Sequence, residues 1–198
     1  MTLQAGDKAP DFTTKDENGN DVPLSSLRGK KVVLYFYPRD MTPGCTAEAC
    51  SLRDNYNYLI KAGYQVFGIS TDTEKSHQKF IKQEKLPFHL LSDVDKKVHD
   101  AYGTWVEKSM YGRKFMGTAR VTFIIDERGL IEEIIGKVDT ENHANQILKR
   151  ETPAKAAVKT VKKSVATKTP AKKSAKKSNK TTARKSVIKD PGKQRRKR

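Results

Sequence analysis

Only two cysteines occur among the 198 residues, Cys45 and Cys50. Two are too few for the disulfide framework of a secreted scaffold, and cysteines this close together are more often catalytic or metal-binding. No stretch approaches the roughly 20 apolar residues of a transmembrane helix. Residues 1–10 lack the apolar run of a signal peptide. These absences set the expectation of a cytoplasmic protein with no membrane insertion. Nothing resembles a phosphate-binding glycine loop, and no Ser/His/Asp set suggests itself.

Aromatic residues are missing from one part of the chain altogether. Residues 151–198 hold no Trp, Tyr, Phe, Met, His or Cys, and their only large aliphatic side chains are Val158, Val161, Val165, Val187 and Ile188. Acid is scarce there too: Glu151 and Asp190 stand against 18 Lys and Arg, so this segment carries +16 of the formal net charge of +17. Residues 1–150 are almost balanced. A segment so poor in apolar surface cannot offset the entropy of ordering itself. The chain is therefore expected to divide into a folded domain, 1–150, and a disordered Lys/Ala/Ser-rich basic tail, 151–198.

Within 1–150 the pattern alternates. Short extended pieces at 11–15 and 21–23 flank an Asn18-Gly19-Asn20 turn. Residues 31–37 are β-formers, apolar on both faces, as in a strand buried on both sides of a sheet. Pro38 ends that strand. A helix is expected over 46–61, with Leu52, Tyr56, Leu59 and Ile60 on one stripe and Gly63 as its stop. A strand at 65–70, a helix from a cap at Thr71 or Asp72 through Lys85 with Phe80 and Ile81 inward, a short strand at 88–92 and a short helix at 95–102 follow. A strand at 120–125 turns at 126–129 into an antiparallel return at 130–135, and a helix at 141–150 closes the domain. This order describes an α/β sheet with helices on both faces. The junction at 37–46 is where such sheets place catalytic groups, and the cysteines lie there.

Cys45 follows Pro43-Gly44 and opens the expected helix. Partial positive charge and unpaired N–H groups at a helix N-terminus favour a thiolate, and a lowered pKa makes a cysteine reactive. A thiolate can attack one oxygen of a peroxide and become a sulfenic acid. The departing oxygen then needs donors and a cation. Cys50 lies five residues on. In an intact helix the two Cα atoms would stand about 8.6 Å apart, beyond the limit of about 7 Å for a disulfide. A bond between them requires the first turns of the helix to unwind. An inert core thiol is the ordinary alternative, but Cys45 sits in a Pro-Gly loop rather than an apolar run. A zinc site needs three or four protein ligands, and His77, His89, His99 and His143 have no useful spacing to the pair; each reads as a surface or structural residue.

The segment Tyr35-Phe36-Tyr37-Pro38-Arg39-Asp40-Met41-Thr42-Pro43-Gly44-Cys45-Thr46-Ala47-Glu48-Ala49-Cys50 resembles the active site of the peroxiredoxins. It is most similar to their Q-type, or bacterioferritin comigratory protein, subfamily. Ala9-Pro10-Asp11-Phe12, the stretch 24–29 and the stretch 117–126 extend the resemblance over about residues 3–149. It implies a thioredoxin-like fold with a central mixed β-sheet flanked by helices. It implies a thiol peroxidase acting on hydrogen peroxide and organic hydroperoxides, recycled by thioredoxin or a similar dithiol, commonly monomeric, with no metal, haem or flavin. Residue by residue, Cys45 resembles the peroxidatic cysteine and Cys50 the resolving one. Thr42 would hydrogen-bond the peroxide, Pro38 would shield the thiolate, and Arg120 would hold its guanidinium beside Cys45. Glu48 is structural or orients Arg120.

A general disulfide oxidoreductase is an alternative, but such enzymes use Cys-x-x-Cys. The other alternative is a nucleic-acid-binding protein with redox-sensing cysteines. The tail resembles those of linker histones: Ala171-Lys172-Lys173-Ser174 repeats at once as Ala175-Lys176-Lys177-Ser178, and the chain ends in a basic cluster at 193–198. Such a segment binds polyanions through counterion release, with little sequence preference, and would draw the protein to a nucleoid or a nucleus. After one equivalent of peroxide, mass spectrometry is expected to show loss of two hydrogens through an intrachain Cys45–Cys50 link; a stable, unlinked Cys45 oxidation product would contradict this.

Overall fold

The computed structural model describes residues 3–110 and 112–149. The tail expected at 151–198 lies outside the described residues. A seven-stranded mixed sheet runs in the order β2-β1-β5-β4-β3-β8-β9, and β6 and β7 form a separate hairpin. The strands are β1 (Thr13–Asp16), β2 (Asp21–Pro23), β3 (Lys31–Phe36), β4 (Tyr64–Ser70), β5 (His89–Ser92), β6 (Trp105–Met110), β7 (Arg113–Thr118), β8 (Val121–Ile125) and β9 (Ile131–Ile135). The helices are α1 (Pro43–Asp54), α2 (Tyr56–Lys61), α3 (Glu74–Glu84), α4 (Lys97–Ala101) and α5 (His143–Ile147), with a 3-10 turn at Leu24–Leu27. Strands β3, β4 and β5 are parallel, while β8 runs antiparallel to β3. None of the described helices is long and apolar enough to cross a membrane.

The apolar run at 31–37 explains the central position of β3. Its side chains alternate. Val33, Tyr35 and Tyr37 join one core with Cys45, Ala49, Leu52, Leu59, Phe80 and Ile147. Val32, Leu34 and Phe36 join the opposite core with Leu91, Val98, Tyr102 and Phe123. Both faces are thus buried, and each such side chain contributes about 1.5–3 kcal/mol. Helices α1, α2, α3 and α5 cover the first core; α4 and the 3-10 turn cover the second.

Three departures from the sequence pattern have physical reasons. The helix expected at 46–61 is two helices that start earlier, at Pro43, and break at Asn55. There the backbone leaves helical geometry (φ −107°, ψ 10°) and the Asn55 side-chain amide donates to the Ser51 carbonyl. The break turns α2, so Leu59 is buried while Ile60 is exposed. The hairpin of β6 and β7 was not expected. Its strands mix Lys, Glu, Arg and Ser with apolar residues, which masks the alternation, and Gly112 at φ +76° is its turn signal. The short helices α4 and α5 form only the middles of the segments expected to be helical.

Gly68 on β4 shows how tightly the first core is built. A Cβ there would lie 2.6 Å from the Tyr35 ring and 2.7 Å from both the Tyr35 hydroxyl and a Leu90 methyl. Gly68→Ala is expected to lower the free energy of unfolding by about 1–3 kcal/mol through overpacking. Urea unfolding checks this, and wild-type stability in the variant would contradict it.

Candidate active site

The site lies where β3 ends and α1 begins. Thr42 is the N-cap residue in extended conformation, Pro43 occupies the first helical position, and Cys45 follows within the first turn. Proline suits that position because it has no N–H to leave unpaired. The Thr42 hydroxyl does not cap the helix; it donates to the Arg39 carbonyl at 3.0 Å. The first-turn N–H groups of α1 therefore have no side-chain cap, and the partial positive charge of the helix end is directed at Cys45. Met41 holds this loop at φ +56°, an uncommon conformation for a residue with a Cβ.

Sheet register brings the cation to the sulfur. Phe36 pairs with Val121 across the antiparallel β3–β8 ladder. Arg120, one residue ahead of β8, is thereby set beside the end of β3, although it is 75 positions from Cys45. Its Nη2 donates to Cys45 Sγ at 3.3 Å. Its Nη1 donates to Glu48 Oε2. A Cβ on Gly44 would approach Arg120 Nη2 to 3.3 Å, so glycine leaves the guanidinium its room. Burial works against the charge on Arg120, but Glu48 and Cys45 outweigh it and the guanidinium is held above its ordinary pKa. A charge-assisted contact of this kind is stronger than a neutral one.

Cys45 is 1% exposed. Pro38 and Thr42, in the loop ahead of it, are half-buried. Cys50 is half-buried on the same helix, and both cysteines are free thiols. The Cys50 thiol points to Glu84 Oε2 at 3.6 Å. Burial raises its pKa; Arg53 opposes the rise and Glu84 adds to it. The two sulfurs thus have different surroundings: one faces a guanidinium, the other a carboxylate. Because α1 is continuous from Pro43 to Asp54, the helical spacing that forbids a direct Cys45–Cys50 bond holds in this reduced form.

The structure brings Arg120 against Cys45, leaves Pro38 and Thr42 in the loop that joins β3 to α1, and sets Cys50 five residues along the helix. It also places residues that the sequence left unassigned. Asp40 anchors the loop from below. Its carboxylate accepts from the Tyr37 hydroxyl and from Ser76 Oγ, both at 2.7 Å, and faces His77 Nδ1 at 2.9 Å. Asp93 and His99 form a second buried pair at 2.6 Å, and His99 Nε2 meets the Thr118 hydroxyl two residues before Arg120. Lys108, on the unexpected hairpin, donates to the Thr118 carbonyl at 2.5 Å. Burial lowers its pKa, Arg120 adds to that effect and Cys45 opposes it, so a second cation stands within electrostatic reach of the sulfur. The His residues were read as surface or structural: His77, His99 and His143 are fully buried and bonded, and His89 is exposed. Buried Asp–His pairs leave no spacing signature, since their partners lie on different elements. Among the described residues one group, Asp16, Glu17 and His89, clusters with metal-ligand spacing. It contains neither cysteine, and its oxygens already accept from Asn18, Asn20 and His89.

Residues 5–134 match the model of the AhpC/TSA family. A putative peroxiredoxin bcp of Coxiella burnetii is 47% identical over 150 residues, which cover 76% of this chain and 99% of that one. Peroxiredoxin Bcp of Escherichia coli is 46% identical over 146 residues, covering 74% and 94%. A solved structure of the bacterioferritin comigratory protein of Xanthomonas campestris superposes with a TM-score of 0.66 at 32% identity, covering 77% of this chain and 92% of that one. The chain belongs to the AhpC/TSA family, as a thiol peroxidase of the peroxiredoxin class.

The Asp40 network has a pH signature. Burial raises the pKa of the Asp40 carboxyl, but the contacts from His77, Ser76 and Tyr37 outweigh it and hold it below its ordinary value. A depressed carboxyl contributes stability above its unfolded pKa, about 3.9, and loses it as pH falls through the folded value. Asp40→Asn is therefore expected to be less stable than wild type at neutral pH, with the gap closing below about pH 4. Urea unfolding across that range tests it; a gap independent of pH would contradict the assignment.

Proposed function

We propose that Cys45 is the attacking sulfur of this peroxidase and Cys50 its resolving partner. The observation that carries this is the Arg120 guanidinium 3.3 Å from Cys45 Sγ with Glu48 behind it. The Cys45 thiolate attacks one peroxide oxygen and the O–O bond breaks. The leaving oxygen departs as water or alcohol after taking a proton, with Arg120 and the first-turn N–H groups of α1 stabilising its charge. Thr42 turns its hydroxyl from Arg39 to the peroxide, and Pro38 keeps water off the sulfur. The Cys45 sulfenic acid is then attacked by Cys50: the S–O bond breaks, water leaves and an intrachain disulfide forms. Helix α1 must unwind for that step.

The substrates are hydrogen peroxide and organic hydroperoxides. The alkyl peroxide reduction activity attributed to the Xanthomonas campestris relative supports the organic class. Thioredoxin or a similar dithiol protein supplies the two electrons and two protons that reopen the disulfide. The enzyme works as a monomer in the cytoplasm, with residues 1–150 as the catalytic domain. Residues 151–198, with a net charge of +16, hold it near nucleic acid through phosphate contacts that weaken as salt rises.

Peroxide turnover with a dithiol reductant is expected to vanish in Cys45→Ser and to fall about 10²–10³-fold in Arg120→Ala. Cys50→Ser should react once with peroxide and stop at the sulfenic acid. Turnover by Cys45→Ser at the wild-type rate would overturn the assignment. A chain ending at Arg150 is expected to keep full peroxidase activity and lose retention on duplex DNA; retention by the shortened chain would place the binding surface elsewhere.

A further inference from the structure

Glu48 is a fully buried carboxylate. Taking such a charge out of water is costly unless partners surround it. Arg120 serves one oxygen, Oε2. The other, Oε1, faces Nδ1 of His143 at 3.2 Å. Both side chains are 0% exposed. The two atoms are within ion-pair range but out of hydrogen-bond alignment, and neither has a hydrogen-bond partner among the described residues. The far nitrogen of the ring, Nε2, meets the Thr122 hydroxyl at 3.0 Å.

These contacts constrain where the proton sits. A bare Nδ1 would set its lone pair against a carboxylate oxygen in a dry interior. A protonated Nδ1 turns that repulsion into attraction. Thr122 accommodates either a neutral or a charged ring, because its hydroxyl donates or accepts. The placement of the ring is fixed from several sides. Ala144 donates its backbone N–H to Ser51 Oγ on α1 at 3.3 Å. Ala144 and Ile147 are buried in the first core. The Tyr35 ring meets the imidazole edge to face at 6.2 Å. Tyr35 on β3, whose ring meets the imidazole, feels the charges of Glu48, Asp40, Cys45 and Arg120.

We propose that His143 is a positioning residue of the peroxidase: its Nδ1–H keeps Glu48 turned so that Glu48 fixes the Arg120 guanidinium against Cys45. Without that N–H, Glu48 keeps one partner for two buried oxygens, and its second oxygen has nothing to hold its orientation. Arg120 then loses its tether and its aim. The inference rests on Cys45 and Arg120 having the roles proposed above.

The imidazole can be dissected by substitution. The amide of Asn places an N–H near the position of Nδ1, whereas that of Gln reaches the position of Nε2. His143→Leu is expected to slow the single-turnover reaction of Cys45 with hydrogen peroxide by about tenfold or more and to move the Cys45 ionisation midpoint, read from thiolate absorbance, upward. His143→Asn should recover most of the rate and the midpoint; His143→Gln should not. Equal behaviour of Asn and Gln, or rates that follow unfolding stability alone, would overturn the proposal. If the variants do not fold, nitrogen NMR of the imidazoles in the reduced wild-type chain decides: a protonated Nδ1 on His143 supports it and a bare one refutes it. Peroxide turnover by Cys45→Ser would strike the underlying site assignment. Loss of turnover there, with His143→Leu within about twofold of wild type, strikes only the role of His143.

Discussion

A single charge group organises this molecule: the buried Cys45 sulfur, the half-buried Arg120 guanidinium and the buried Glu48 carboxylate, in contact in that order. Each member needs the others. Glu48 would be costly to bury without Arg120. The guanidinium that satisfies the carboxylate also donates to the sulfur. Much of the fold serves to bring these three side chains together. The antiparallel β3–β8 register carries Arg120 to the end of β3, the Pro-Gly start of α1 lifts Cys45 to meet it, and Glu48 follows one helical turn later on the same face.

The same group links chemistry to conformation. Glu48 lies between the two cysteines on α1. Unwinding that brings Cys50 to Cys45 must disturb the residue that holds Arg120. The reduced form is therefore the one in which the helix, the cation and the sulfur support one another. In the proposed oxidised form the Cys45–Cys50 disulfide would take the place of that arrangement. The loop beneath contributes rigidity through Asp40, and the segment ahead of Arg120 is pinned by Asp93, His99 and Thr118. The flanking parts are anchored by buried Asp–His pairs, while α1 is continuous but has no side-chain cap at its first turn.

The sequence displayed the proposed centre more clearly than its supports. Pro38, Thr42, Cys45 and Cys50 fall within one short segment with a diagnostic spacing, and the apolar run at 31–37 marked the central strand. Arg120 was legible only through the family resemblance, since nothing local announces that a residue 75 positions away will meet a cysteine. His143, Asp40 and Lys108 depend on tertiary placement, and their neighbours in sequence carry no hint of it. The hairpin of β6 and β7 hid because charged side chains occupy both of its faces. The break at Asn55 hid because the apolar stripe runs straight through it.

Backbone hydrogen exchange at residues 43–50 tests the coupling of sulfur chemistry to helix structure most directly. In reduced protein these amides should be protected. After one equivalent of hydrogen peroxide the protection should disappear in the wild type and persist in Cys50→Ser, which can form the sulfenic acid but not the disulfide. Formation of the Cys45–Cys50 bond with protection of α1 unchanged would contradict the account.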